Sequence, residues 1–89
     1  MKLNGDFVIR NIAGDNVLIP TGKTAMNFNG MIILNETGVF IWKLLTEGEK
    51  DQNEILKKIT EEFEIDEESA KKDLEVFIER LVQEGLVSD

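Results

Sequence analysis

The sequence predicts an α+β domain of the winged helix-turn-helix type, with a three-stranded antiparallel sheet followed by three α-helices. Three observations favour this class. Short apolar runs bounded by turn residues occupy the first third of the 89-residue chain, as is typical of strands. Amphipathic patterns of helical period fill the remainder. Only residues 64–66 separate the last two helical patterns, a spacing typical of helix-turn-helix pairs.

The first two strands are predicted to form a hairpin over residues 7–20. The runs FVIRNI and NVLIP flank Ala13-Gly14-Asp15, where glycine tolerates the positive φ of a tight turn. Pro20 has no backbone N–H to donate to a sheet, so it should end the second strand.

The third strand is expected over Met31 to Leu34. Residues 21–30 before it are rich in loop-forming residues, and a short extended piece within them is left open. Apolar side chains alternate on both faces of the predicted sheet, whereas a small sheet packs only one face on helices. The second face therefore needs a cover, which residues 21–30, another subunit or a partner could provide.

The three helices are predicted over residues 36–46, 52–63 and 67–84, as one domain spanning residues 1–89. Their ends carry recognisable signals, namely Asn35, Asp51 with Glu54, and Asp66 as N-terminal caps, and Gly48 and Gly85 just past C-terminal ends. Their core-facing residues are predicted to be Val39, Phe40, Ile41, Trp42, Leu44, Leu45, Ile55, Leu56, Ile59, Phe63, Ala70, Leu74, Phe77, Ile78 and Leu81. After Gly85, Leu86 and Val87 could add a short extended piece.

Composition excludes several function classes. The chain has no cysteine and no histidine, which removes thiolate nucleophiles, the usual zinc ligands and the commonest general base. Adjacent acids such as Glu61 and Glu62 point in different directions on a helix, and no calcium-binding loop or phosphate-binding glycine loop is present. We therefore expect a protein that is not an enzyme and binds no metal or cofactor. The missing disulfides and signal peptide predict a cytoplasmic protein with no membrane span.

The net charge of −8 is unevenly distributed. Residues 1–35 carry three bases and two acids, whereas residues 36–89 carry seven bases and sixteen acids. An acidic helical half repels phosphates. A winged-helix DNA-binding transcriptional regulator is the alternative function that the topology permits, but the charge of the third helix is wrong for a helix that enters a DNA groove.

The most informative stretch is MIILNETGVFIWKLLTEGE, residues 31–49. A strand that passes this abruptly into a helix can leave one backbone edge unpaired, and such an edge binds an extended peptide. It can also pair with a second copy, so a homodimer by strand exchange is left open. On the third helix, the solvent side is predicted to be Ser69, Lys72, Asp73, Val76, Arg80 and Gln83.

Three segments together resemble a known family. They are LNETGVFIWKLLTEG (34–48), EILKKITEEFEIDEE (54–68) and KKDLEVFIERLVQEGLV (71–87). This pattern resembles the coenzyme PQQ synthesis protein D family, the PqqD-like proteins. The hairpin and the following AMNFNG are more similar to the branch found beside varied peptide-modifying enzymes than to the PQQ branch.

The resemblance implies a non-catalytic adaptor, or peptide chaperone, in the biosynthesis of peptide natural products. Such a recognition element binds the leader of a ribosomally made precursor peptide as an antiparallel strand beside the third strand and the third helix, and presents it to a modifying enzyme, commonly a radical S-adenosylmethionine (radical SAM) enzyme. The residues that the resemblance assigns to peptide binding are Met31, Ile32, Ile33, Leu34, Asp73, Val76, Phe77 and Arg80. A charge pair between Asp73 and Lys72 or a neighbouring helix is an equally open reading of Asp73.

Overall fold

The computed structural model describes residues 1–28 and 31–88. It has the predicted α+β class, with a three-stranded antiparallel sheet and three long helices. The chain divides into two compact units. Residues Gly5–Val39 form the sheet unit, and Met1–Asn4 together with the chain from Phe40 onward form the helical unit.

The sheet unit contains strands β2 (Phe7–Ile12), β3 (Asp15–Pro20) and β4 (Ile32–Leu34) in the spatial order β2-β3-β4. β2 and β3 pair over six residues, from Phe7 opposite Pro20 to Ile12 opposite Asp15. β3 pairs with β4 over only three residues. β3 is therefore the central strand, and β4 is a short strand at one edge.

A two-residue turn, Ala13–Gly14, connects β2 to β3. Both residues have positive φ, 52° for Ala13 and 90° for Gly14. Turns of this kind match the right-handed twist of the strands they join. Glycine adopts the conformation freely, whereas alanine does so at a cost in free energy.

The described part of the 21–30 segment contains a short helix, α1 (Thr24–Asn27). The sequence allows an extended piece in this segment, and the structure has a helix there instead. The Thr24 hydroxyl accepts a 2.8 Å hydrogen bond from the Asp6 N–H, and the Phe28 ring meets the Phe7 ring edge-on at 5.6 Å. Phe7 lies on the same face of β2 as Ile9, so Phe28 packs at the end of the buried face of the sheet. Residues 29 and 30 lie outside the described residues.

Three longer helices follow, α2 (Glu36–Thr46), α3 (Gln52–Phe63) and α4 (Glu67–Gln83). Asp51 and Glu54 form the predicted capping box of α3, in which the Asp51 carboxylate accepts a 2.8 Å hydrogen bond from the Glu54 N–H. Asp66 caps α4 by accepting a 3.2 Å hydrogen bond from the Ser69 N–H. The short connection between α3 and α4 thus begins a new helix immediately, as the sequence predicts.

The C-terminal end of α4 is a Schellman motif. Leu86 N–H donates to the Leu81 carbonyl at 2.8 Å, and Gly85 N–H donates to the Val82 carbonyl at 3.0 Å. Gly85 has φ +78°, which is the left-handed conformation that this motif requires. Leu81 and Leu86 are both buried, in agreement with the hydrophobic contact that often accompanies this motif.

The helical unit also contains a two-stranded sheet. Of its two strands, the sequence predicts only an extended piece after Gly85. β1 (Lys2–Leu3) pairs with β5 (Val87–Ser88). The Asn4 N–H donates to the Leu86 carbonyl at 2.8 Å, and the terminal ammonium of Met1 lies 3.5 Å from the Glu49 carboxylate. The start of the chain is thereby attached to its end.

The buried apolar residues follow the predicted strand and helix patterns. They are Val17, Leu18, Ile32, Leu34, Ile41, Trp42, Leu44, Leu45, Ile55, Ile59, Ala70, Leu74, Ile78, Leu81, Leu86 and Val87. The predicted core residues Val39, Phe40, Leu56, Phe63 and Phe77 are partly exposed instead. Among the described residues, no helix is both long and apolar enough to cross a membrane.

Candidate functional site

The first candidate surface is the free edge of β4. β4 pairs with β3 on one side, and within residues 1–28 and 31–88 no strand pairs with its other side. Successive residues of an antiparallel strand direct their N–H and C=O groups to opposite edges. At least one residue of β4 therefore presents both of its backbone polar groups away from β3.

The side chains of this segment alternate between burial and exposure. Ile32 and Leu34 are 2% and 3% exposed, whereas Met31 and Ile33 are 68% and 60% exposed. Ile32 and Leu34 can therefore offer only their backbone to a partner. Met31 and Ile33 offer apolar side chains, and Met31 precedes the strand, which begins at Ile32.

Asn35 ends the strand and starts α2. Its side-chain oxygen accepts a 2.8 Å hydrogen bond from the Gly38 N–H, and its carbonyl accepts one of 2.9 Å from the Val39 N–H. The first bond satisfies one of the N–H groups that a helix leaves free at its N-terminus, and the second is the first hydrogen bond within the helix. The abrupt change from strand to helix thus has a local cause, which limits β4 to three residues.

The second candidate surface is one side of α4. At about 100° per residue, Val76, Arg80, Asp73 and Phe77 lie within a 100° arc of the helix. Val76 is 64% exposed, Asp73 and Arg80 are exposed, and Phe77 is partly buried. This arc, which we call the α4 face, borders the buried stripe formed by Ala70, Leu74, Ile78 and Leu81.

The charges on the α4 face are not neutralised by ion pairs. In the described part of the chain, the ion pairs are Met1 with Glu49 and Lys50 with Glu47. The alternative reading of Asp73, a charge pair with Lys72 or a neighbouring helix, is therefore not found among these residues. Asp73 and Arg80 remain available to a charged partner.

The two candidate surfaces belong to different units. Met31, Ile32, Ile33 and Leu34 lie in the sheet unit, and Asp73, Val76, Phe77 and Arg80 lie in the helical unit. No three potential metal-ligating side chains cluster in the described residues. The arrangement supports recognition by backbone hydrogen bonds, apolar contact and charge.

A further surface of the sheet carries two charged residues that the sequence did not place together. On the face of the sheet opposite to the buried Leu18 and Ile32, Arg10 and Asp15 stand among apolar residues. Only the strand register shows that these two charged residues share a face. The alternation of side chains in the runs FVIRNI and DNVLIP was the available signal.

Comparison with known proteins gives two matches. Residues 16–87 match the family described as Coenzyme PQQ synthesis protein D (PqqD), a range that includes both candidate surfaces. A solved structure, "TbiB1 in Complex with the TbiA(beta) Leader Peptide", is similar over 100% of both chains, with 28% sequence identity and a TM-score of 0.71. No curated protein matches the chain in sequence.

Proposed function

Because the chain belongs to the family of Coenzyme PQQ synthesis protein D (PqqD), we propose that it is a non-catalytic adaptor that binds the leader segment of a ribosomally made precursor peptide. The family match and the similarity to TbiB1, which was solved with a leader peptide, support this proposal. The adaptor presents the precursor to a separate modifying enzyme, and the family resemblance points to a radical SAM enzyme.

The observation that carries the proposal is the free edge of β4. A guest peptide in extended conformation adds there as a fourth, antiparallel strand. Its backbone satisfies N–H and C=O groups that water otherwise satisfies, so each hydrogen bond contributes only about 1 kcal/mol net. With three residues in β4, the backbone contribution to affinity is small.

Apolar contact must supply most of the remaining affinity. Met31 and Ile33 stand exposed beside the edge, where they can contact alternate side chains of an added strand. An interface no larger than the standard ~800 Å² per partner agrees with a dissociation constant on the order of 1 μM, about −8 kcal/mol. Affinity of this order is sufficient for an adaptor, which acts by raising the local concentration of precursor at the enzyme.

The α4 face is proposed as a second contact surface for the leader. Val76 supplies apolar area, and Asp73 and Arg80 supply one charge of each sign. Charged residues at the margin of an interface contribute mainly to specificity and association rate. We therefore assign selection among leaders to this face, and the backbone pairing to β4.

Amide hydrogen exchange tests strand addition directly. The probe is a synthetic peptide with the leader sequence of the precursor encoded beside this chain's gene. We expect the β4 amides that face away from β3 to gain protection when the peptide binds, while amides already bonded to β3 change little. Unchanged exchange throughout residues 32–34 in a saturated complex would exclude the β4 edge as the binding site.

A matched pair of charge substitutions tests the apolar contact. Met31→Glu places a charge beside the β4 edge and should weaken leader binding by about tenfold, which is 1.4 kcal/mol. Val8→Glu places the same charge on β2, the opposite edge of the sheet, and should leave the affinity unchanged. Titration calorimetry measures both affinities. Ile33→Pro should also weaken binding, with circular dichroism showing that the helices stay folded.

A second matched pair tests the α4 face. Val76 and Val82 are both exposed valines of α4, at 64% and 55%, but they lie about 120° apart around the helix axis. Val76→Glu should lower leader affinity several-fold, and Val82→Glu should not. Equal effects from the two substitutions would remove the α4 face from the proposal and leave the β4 edge to be judged by hydrogen exchange.

A further inference from the structure

The sheet unit has an exposed apolar face that leader binding to the β4 edge does not use in full. Side chains alternate along a strand, so the register places Val8, Arg10 and Ile12 of β2 on the same face as Asp15, Val17 and Ile19 of β3 and Ile33 of β4. We call this set the outer face. It lies opposite to Leu18, Ile32 and Leu34, which are almost completely buried.

The outer face is open to solvent at its margins. Val8, Ile12 and Ile33 are 37%, 47% and 60% exposed, and they surround the central Val17, which is only 6% exposed. The cross-strand neighbours of Val17 are Arg10 and Ile33. The exposed fractions show that the described residues leave Val8, Ile12 and Ile33 partly uncovered. An apolar patch of this kind marks an interaction surface.

The two charged residues of the outer face identify what fits it. Arg10 lies opposite Val17, and Asp15 lies opposite Ile12, so one positive and one negative side chain share the face. Within residues 1–28 and 31–88, neither of them takes part in an ion pair. A surface that carries one charge of each sign can be complementary to itself, which is the requirement for a two-fold symmetric contact.

The distribution of charge over the chain favours this face for self-association. Residues 36–89 carry sixteen acids against seven bases, whereas residues 5–35 carry Arg10 and Lys23 against Asp6 and Asp15. Two copies that approach through their acidic helices repel each other, and two that approach through their sheets meet without net charge.

We infer that a second copy of this chain packs on the outer face, with Arg10 of each copy against Asp15 of the partner subunit. Four partly exposed aliphatic side chains per copy, Val8, Ile12, Ile19 and Ile33, give an interface well below 1,200 Å² in total, a size found in transient complexes. The dimer is therefore weak and reversible, with a dissociation constant on the order of 100 μM. It joins side chains face to face and needs no exchanged strand.

Sedimentation equilibrium of the full chain without any peptide tests this inference. The wild type should change from monomer to dimer as its concentration rises to about 1 mM, ten times the expected dissociation constant. Arg10→Asp and Asp15→Arg should each weaken association by more than tenfold. An equimolar mixture of the two variants should associate again as a heterodimer, because each contact then joins an arginine to an aspartate.

Two control variants separate this contact from the effect of net charge. Lys23→Asp and Glu36→Arg change the net charge by the same amounts within the sheet unit but lie outside β2, β3 and β4, and they should associate as the wild type does. A wild-type chain that remains monomeric near 1 mM, or a mixture that fails to associate, would overturn the inference. A dimer that is insensitive to both charge reversals would instead indicate strand exchange. Leader binding is measured separately, so neither result decides the proposed function.

Discussion

The helices and the sheet of this protein differ in how completely they satisfy their own polar and apolar groups. α3 begins with a capping box, and α4 is capped at its start by Asp66 and closed by a Schellman motif. Among residues 1–28 and 31–88, no strand of the sheet unit pairs with the outer edge of β4, and apolar side chains such as Ile33 are exposed. The difference fits the proposal that the sheet meets a partner through its β4 edge, while the helices mainly supply stability.

The charges of the two regions support the same division of roles. The helical residues 36–89 are strongly acidic, and the preceding residues are nearly neutral. A near-neutral surface with exposed aliphatic side chains binds partners by apolar contact, whereas an acidic surface keeps a small protein soluble and dispersed. Val76 on α4 is an exposed apolar exception, and it lies on the face that we propose to contact the leader.

The largest expected effect separates the two faces of the sheet. Leu18 of β3 is 1% exposed and Ile33 of β4 is 60% exposed. Leu18→Ala should lower the free energy of unfolding by about 2–5 kcal/mol through lost burial and a cavity, whereas Ile33→Ala should change it by no more than about 0.5 kcal/mol. Urea denaturation measures both. Comparable losses would mean that Ile33 is buried in solution, which contradicts an open outer face.

The second prediction concerns the C-terminal cap of α4. Gly85 has φ +78°, and no described atom beyond its chain neighbours lies within 4 Å of the position that a β-carbon would occupy. Gly85→Ala should therefore cost about 1–2 kcal/mol through backbone strain alone. Glu84→Ala, one residue earlier in right-handed helical conformation, is the control and should be nearly neutral. A neutral Gly85→Ala would show that the motif frays in solution.

The third prediction uses pH to test the N-terminal cap of α4. Hydrogen bonds from the Ser69 side chain, and then from its backbone N–H, lower the pKa of Asp66. Since the folded-state pKa lies below the unfolded value of about 3.9, the stabilisation is fully present above that value and is lost as the pH falls through the folded-state pKa. Asp66→Ala should destabilise the protein at pH 7, by a margin that shrinks as the pH falls through that range.

Asp66→Asn is the matched control for this prediction. Asparagine caps helices about as well as aspartate but does not titrate, so this variant should retain stability at low pH relative to the wild type. Urea denaturation at several pH values gives the comparison. If the wild type and Asp66→Asn follow the same pH dependence, the Asp66 cap does not contribute to acid sensitivity.

The sequence predicted these caps because each depends on residues close together in the chain. Each N-terminal cap joins residues three positions apart, Asp51 with Glu54 and Asp66 with Ser69. The C-terminal motif joins Gly85 and Leu86 to residues three and five positions earlier. The β1–β5 pair was not predicted in full, because it joins two-residue strands from opposite ends of the chain. Segments this short show no periodicity, so only the folded structure brings them together.

The candidate site was predicted to a similar extent. The apolar run at residues 31–34 and its abrupt passage into a helix predicted the edge strand, and helical spacing placed Val76 and Arg80 on the solvent side of α4. Their roles in peptide binding stay predictions. The shared face of Arg10 and Asp15 was not predicted, because alternation within each strand relates the two residues only once the β2–β3 register is known. A shift of one residue in that register would have placed them on opposite faces.

The smallest predicted effect tests the backbone strain of Ala13, whose φ is positive in the turn of the sheet unit. Ala13 holds φ 52° in the β2–β3 turn, which costs an L-residue free energy that glycine does not lose. Ala13→Gly should therefore raise the free energy of unfolding by about 0.5–1 kcal/mol. Ala25→Gly, the same exchange within α1, should lower it by about the same amount, because glycine is unfavourable in a helix. Thermal unfolding of the two variants should give midpoint shifts of opposite sign. Two decreases would mean that the turn in solution does not require positive φ at Ala13.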